Sequence, residues 1–235
     1  MKWRGLEAAE PAVPTTTLFE ELEQRRALAE KYVPAATQEV HRRSIAELQQ
    51  SSLVDRILPV GATAPTFELP DQDGKPVGSS TLLSQGRLLI CFFRGRWCPF
   101  CLAQMEAMNH LLPAIRQAGA SLVGIAPQTV KQCFFMHDQH QLKFPLLSDS
   151  GNQVARQFGL VYKVPQYQQN IYRSTFTNLP FINGEPSWEL PIPATFILEP
   201  DGTVQFASAD PDYTRRPEPA DLLRKLTEAP QNSDS

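Results

Sequence analysis

The stretch RLLICFFRGRWCPFC, residues 87–101, carries a strand, a turn and the first turn of a helix in direct succession. Its opening half, RLLICFF (87–93), is an unbroken apolar run of strand length. Such a run suits a central strand covered on both faces. The helix begins at the cysteines. Pro99 falls where a first helical residue would, and its missing N–H costs nothing there. Cys98 therefore sits at or near the N-cap, facing free backbone N–H groups and the positive end of the helix dipole. A thiolate is stabilised in that position, and such cysteines have pKa values lowered from ~8.5 to as little as ~3.5. Arg94 and Arg96 add positive potential. Cys101 lies one helical turn on, so a disulfide can close with little backbone motion. If Cys98 is oxidised to a sulfenic acid, Cys101 can condense with it. If Cys98 attacks a substrate disulfide, Cys101 can resolve the mixed disulfide. The pair is sufficient for either reaction.

A CxxC pair also makes half a zinc site, but two more ligands at compact spacing are then needed. The remaining candidates, Cys91, Cys133, His41, His110, His137 and His140, are scattered and form no second CxxC. No metal and no cofactor are expected. Cys91 lies inside the apolar strand and reads as a buried, inert residue, and Cys133 as a structural one. His137 and His140 fit a solvated helix face, and Glu106 a surface charge or ion-pair partner.

Outward from the cysteines, PFCLAQMEAMNHLLPAIRQAG (99–119) has helical periodicity and stops at Gly119, the place of a left-handed C-cap. Strand SLVGIA (121–126), a helix through 129–141, a short strand near FPLL and a small helix ending at Gly159 follow. Residues 160–190 read as irregular. ATFIL and TVQFAS form a hairpin across the EPDG turn, and a last helix covers 219–229. Before the apolar strand, APTFELPDQDGKPV (64–77) reads as two short extended pieces around Asp73–Gly74. Alternating strands and helices imply an α/β layered sheet. Three regions result: a helical N-terminal arm (1–58), a redox domain (59–229) and a flexible tail (230–235). In the arm, Thr15, Thr16 and Thr17 can cap one helix, with Glu20 and Glu21 in its first turn, and Pro34 starts a second. These helices read as a brace for the domain, with dimerisation as the alternative.

The chain has 235 residues, a formal net charge of -3 and 20% charged residues, which gives no electrostatic case for nucleic acid. No run approaches the ~18 apolar residues of a membrane span. The first residues lack the apolar core of a secretory signal, so a cytoplasmic setting with reduced thiols is expected.

Taken together, PVGATAPTFELPDQDGKPV, FFRGRWCPFC, VGIAPQ, FPLLSD and PATFILEPDG resemble the peroxiredoxin-like branch of the alkyl hydroperoxide reductase and thiol-specific antioxidant superfamily. The resemblance implies a thioredoxin-like fold, a central mixed β-sheet flanked by helices with an N-terminal β extension. It implies a peroxidase that reduces hydrogen peroxide or alkyl hydroperoxides, with Cys98 as the peroxidatic and Cys101 as the resolving residue. Thioredoxin or a similar dithiol would return the electrons, and a homodimer is compatible with the pattern. Arg94, Arg96, Trp97 and Pro193 are the expected substrate-binding residues. Typical members carry a proline seven residues before the peroxidatic cysteine and a threonine three before it; here Cys91 and Gly95 stand there. Pro193 occupies the region of the family's active-site arginine, for which Arg94, Arg96 or Arg173 can substitute. Pro193 stands at a strand entry, where a cis bond is expected; a cis proline beside the cysteine pair, and a tryptophan before it, are thioredoxin features. A thiol–disulfide oxidoreductase acting on protein disulfides is therefore the rival enzyme, and a redox sensor or metal-handling module the non-enzymatic rival. The cluster Asp212–Arg216 is expected to cap the last helix and carry surface charge, with contact to the site from the next strand as the alternative.

Overall fold

The computed structural model describes residues 17–228. The expected tail 230–235 and the first sixteen residues of the arm lie outside the described residues. The arm is a helical pair, α1 (Leu18–Tyr32) and α2 (Ala35–Gln49). Thr17 caps α1 in a reciprocal capping box with Glu20, and Pro34 precedes α2 as its N-cap. A hairpin of β1 (Glu68–Pro70) and β2 (Pro76–Gly78) forms the β extension, followed by a short helix α3 (Ser79–Leu83).

The domain is built on five strands in the order β5-β4-β3-β8-β9. β3 (Arg87–Phe92) pairs in parallel with β4 (Ala120–Ala126), and β4 with β5 (Leu146–Ser148). β8 (Ala194–Leu198) runs antiparallel beside β3, and β9 (Val204–Ala209) antiparallel to β8. β3 is thus central and buried on both faces, as its composition predicts. Its alternating side chains serve two cores. Leu88, Ile90 and Phe92 pack with Phe158 and Phe196 on one side. Leu89, Cys91 and Phe93 pack against Cys101, Met105 and Met108 of α4 (Pro99–Gln117) on the other. Between β4 and β5 lies α5 (Val130–Gln139), and α6 (Gln153–Gln157) follows β5.

Residues 160–190 are not irregular. They hold β6 (Val161–Lys163), α7 (Gln166–Ser174), α8 (Leu179–Asn183) and β7 (Glu189–Pro191), with β6 and β7 paired antiparallel. The strands are only three residues long, and α7 buries Gln168 and Gln169 rather than an apolar stripe. Three-residue strands are too short to show alternation, and a helix face made largely of glutamines beside Tyr172 is not the apolar stripe that marks a core helix. α9 (Pro219–Thr227) closes the described chain. No helix among the described residues is long and apolar enough to cross a membrane.

The expectation of a cis bond at Pro193 is corrected: no described peptide bond is cis. The chain runs extended from β7 into β8, with the Ile192 N–H donating to the Leu160 carbonyl at 2.9 Å. The trans form, favoured intrinsically by about 0.5–1 kcal/mol, meets no opposition there.

Candidate active site

Strand β3 ends at Phe92, and the turn 93–97 delivers the chain to α4. Cys98 is the N-cap of that helix and Pro99 its first residue, with the extended φ of −93° and ψ of 112° that an N-cap adopts. Gly95 makes the turn possible. Its φ is +138°, and a Cβ there would come within 2.7 Å of the Trp97 indole nitrogen. No threonine fits at this position.

Cys98 is only 1% exposed. Burial alone pushes its thiol up, but the Cys101 thiol, the Arg94 and Arg216 guanidinium groups and the Cys101 backbone N–H outweigh burial and bring it down to about 5. Burial, the Cys98 thiol and its charge hold Cys101 well above the usual range. One sulfur is ionised at neutral pH and its neighbour keeps its proton. Cys91 and Cys133 differ: burial drives both up to about 12, so they are inert thiols.

Arg94 is the largest fully buried side chain. Its guanidinium lies 4.0 Å from the ring centre of Tyr213 and 4.7 Å from that of Trp97. It donates through Nη2 to the Tyr172 hydroxyl. It forms no ion pair with a carboxylate among the described residues. A buried guanidinium without a counterion costs several kcal/mol. Here the aromatic faces offset part of that cost, and the Cys98 thiolate supplies the negative charge.

The other expected site residues divide. Trp97 lines the cavity over Cys98. Arg96 does not: its Nε donates to Gln132 at 2.6 Å and its guanidinium sits over Phe135 of α5, because the turn at Gly95 throws successive side chains to opposite sides. Pro193 lines a different, smaller cleft with Thr195, Asp210 and Arg216. Arg173 stacks on Trp188, away from the cysteines. The cluster Asp212–Arg216 does not cap α9, whose N-cap is Glu218; Arg216 takes the alternative role and reaches the site. Its Nη2 donates to the Cys101 sulfur at 3.3 Å and its Nε to Gln104 at 2.6 Å. Gln104 in turn donates to Thr195 at 3.2 Å. No local pattern marks Arg216, since the loop before α9 brings it back across the molecule. His140 pairs with Glu106 at 2.8 Å.

The arm is more than a brace. Arg25 donates to the Pro99 carbonyl at 2.5 Å, Arg26 to Thr214 at 3.1 Å, and Ser44 to Gln168 at 2.7 Å. These contacts roof the site. Between roof and domain lies a chamber of about 410 Å³ with Arg94, Trp97 and Cys98 on its floor. His41 of α2 lines it too. Burial and the charge of Arg94 lower its pKa to about 4, so it is neutral at pH 7.

Several known proteins similar to this chain are peroxiredoxins by name, and one, at 25% identity over 146 residues, is a thiol-disulfide oxidoreductase, ResA of Bacillus thuringiensis. A putative peroxiredoxin of Mycobacterium tuberculosis is 33% identical over 116 residues, covering 49% of this chain and 75% of the relative. Peroxiredoxin Bcp of Escherichia coli is 33% identical over 103 residues, covering 44% of this chain and 65% of the relative. The crystal structure of peroxidoxin BcpB from Mycobacterium tuberculosis superposes with a TM-score of 0.56 at 26% identity, over 72% of this chain and 96% of that one. The fold is accordingly thioredoxin-like, with the arm added in front. Because the AhpC/TSA family profile spans residues 60–207, from just before β1 into β9 and across both cysteines, this chain belongs to that family.

Proposed function

We propose that the protein is a thiol peroxidase in which Cys98 reduces hydrogen peroxide or an alkyl hydroperoxide and Cys101 resolves the product. The observation that carries this function is the ionised Cys98 beside a buried Arg94 that pairs with no carboxylate among the described residues. The thiolate attacks the terminal, hydrogen-bearing oxygen of the hydroperoxide. An S–O bond forms as the O–O bond breaks, and the electron pair leaves on the second oxygen, which takes up a proton to become water or an alcohol. Sulfur is oxidised by two electrons and the peroxide reduced by two. Arg94 and the helix N-terminus stabilise the charge as it moves. The Cys101 thiol then attacks the sulfenic sulfur, a disulfide forms and water leaves. Thioredoxin or a similar dithiol restores the pair with two electrons, in a reducing compartment.

The first test is stopped-flow oxidation of the reduced protein. Cys98→Ser is expected to abolish turnover. Cys101→Ser is expected to keep the first oxidation and to accumulate sulfenic acid, seen by dimedone labelling. Oxidation of Cys98 no faster than a free thiol would remove the peroxidase function. A coupled assay with thioredoxin and its reductase tests the electron donor.

Trp97 and the CPFC sequence keep protein disulfide exchange as the second function. Against it stand the burial of Cys98 beneath the arm and the separation of Pro193 from the chamber. Insulin reduction at thioredoxin-like rates would favour it. Among the described residues no group of three His, Cys, Asp or Glu side chains is arranged to hold a metal ion.

A further inference from the structure

A hydroperoxide cleaved by Cys98 releases an oxygen that must take up a proton, and the turn that presents the thiolate has no group to supply one. It reads Phe93, Arg94, Gly95, Arg96 and Trp97, without a hydroxyl, and arginine does not give up its proton in a protein. The Cys101 thiol is engaged with the Cys98 sulfur. The donor has to come from elsewhere in the chamber. There Gln38 donates to the Val33 carbonyl at 2.7 Å, and an amide is no acid. The threonine hydroxyls of the lining, at Thr37, Thr175, Thr177 and Thr214, are aliphatic alcohols and far too weakly acidic. His41 has already lost its proton at pH 7. Glu30 is exposed on the roof. What remains on the lining are two phenols, Tyr172 and Tyr213.

Of the two, Tyr172 is built into the site. It is 4% exposed, and its ring packs edge-on against Trp97 at 5.2 Å between centres. Its oxygen accepts from Arg94 Nη2 and from Gln168 Nε2, the latter at 3.1 Å. Ser44 orients that amide by donating to Gln168 Oε1 at 2.7 Å, which turns the amide nitrogen to the phenol. With two donors aimed at one phenol oxygen, its own hydrogen is left over, and it has no acceptor among the described residues. Arg94 meets Tyr213 through the ring face instead, 4.0 Å from its centre, and no hydrogen bond fixes that hydroxyl among the described residues.

We propose that Tyr172 is the general acid of the first oxidation, a catalytic residue whose hydroxyl gives its proton to the departing oxygen while Arg94 holds the phenolate that remains. The inference rests on the peroxidase function above and adds a residue to it. Cys98 sulfur bonds to the terminal oxygen, the O–O bond breaks, and its electron pair goes to the second oxygen. The Tyr172 proton joins that pair to give water or an alcohol. Sulfur ends as a sulfenic acid and Tyr172 as a phenolate, which water entering the chamber reprotonates, releasing hydroxide. The buried guanidinium therefore keeps an anion beside it throughout. Before the reaction, burial holds the phenol protonated, well above its usual range; Arg94 opposes this and the Cys98 thiolate adds to it. When the sulfur loses its charge that restraint goes, and the new anion forms on the oxygen Arg94 already touches.

The test is stopped-flow oxidation of the full, reduced chain by hydrogen peroxide and by peracetic acid. Hydroxide leaves from the first and needs a proton, whereas acetate leaves from the second and needs none. Tyr172→Phe keeps the ring and loses the hydroxyl. It is expected to slow oxidation by hydrogen peroxide on the order of 10²-fold. Peracetic acid, and iodoacetamide, whose iodide also leaves unprotonated, are expected to react with this variant at close to wild-type rates. Equal slowing of all three reagents is what a merely structural role would give, and it overturns the inference. So does undiminished oxidation by hydrogen peroxide, or a loss specific to hydrogen peroxide in Tyr213→Phe but not in Tyr172→Phe. In the wild type, oxidation by hydrogen peroxide is expected to be slower in heavy water, and oxidation by peracetic acid is not. Absence of that isotope effect overturns the inference even where a variant does not fold. Oxidation of wild-type Cys98 by hydrogen peroxide no faster than a free thiol is a different result, and it removes the peroxidase function itself.

Discussion

Arg94 is the residue on which the ionisation of Cys98 turns. It is always charged, it is buried without a carboxylate among the described residues, and its guanidinium is fixed between two aromatic faces. A lysine would keep the charge but lose the stacking and the planar fork. Arg94→Gln removes the charge at similar length. It is expected to raise the Cys98 pKa and to lower the peroxide rate constant at pH 7 on the order of 10²-fold, read by stopped flow across pH. An unchanged pH profile would show that the helix terminus and Cys101 suffice. At this scale the sequence was informative about Cys98, Cys101 and Trp97, because a turn and a helix start fix them locally. It placed Arg216 at the surface first, with the site only as the alternative, and was misleading about Arg96. The side-chain direction of Arg96 depends on the torsion at Gly95, and the arrival of Arg216 at Cys101 depends on contacts more than a hundred residues apart in sequence.

Among the elements, the β3–turn–α4 unit was legible in full. An apolar run, a proline at the first helical position and a glycine beyond the helix end are all local signals, and Gly119 takes the left-handed φ of +72° that its place after α4 requires. The segment 160–190 was not legible, since three-residue strands and a helix burying glutamines break the link between periodicity and burial. The turn before α4 carries its own prediction. Gly95→Thr would install the hydroxyl that typical relatives have three residues before the reactive cysteine. Here the new Cβ would meet the Trp97 indole at 2.7 Å on a backbone of φ +138°. The variant is expected to lose roughly 1–3 kcal/mol of stability and to gain no peroxide reactivity, as measured by thermal melting and stopped flow. Faster oxidation in this variant would show that the turn can adopt the ordinary family geometry.

For the whole molecule, the arm and the redox domain make the site together, and neither holds it alone. Their helical nature was readable from the capping signals at Thr17 and Pro34, but their docking was not, because α1 and α2 contribute isolated apolar residues rather than a strong stripe. The buried hydrogen bond from Ser44 to Gln168, 2.7 Å long, ties α2 to α7. Ser44→Ala leaves the Gln168 carbonyl short of a donor and is expected to cost about 1–3 kcal/mol. It is also expected to speed alkylation of Cys98 by a bulky maleimide, since a looser roof admits the reagent. An unchanged alkylation rate would mean that the roof does not control access. The account as a whole stands on the charge of one sulfur, to which β3, the N-terminus of α4, Arg94 and the neighbouring Cys101 all contribute. Its most direct test is the pH dependence of Cys98 alkylation by iodoacetamide, followed by mass spectrometry on the intact reduced chain. Because the Cys98 pKa is lowered, the reactive form is present above it and lost as pH falls through it. The rate should therefore be flat at neutral pH and drop with a midpoint at about 5. A midpoint near the ~8.5 of an ordinary cysteine would contradict the account.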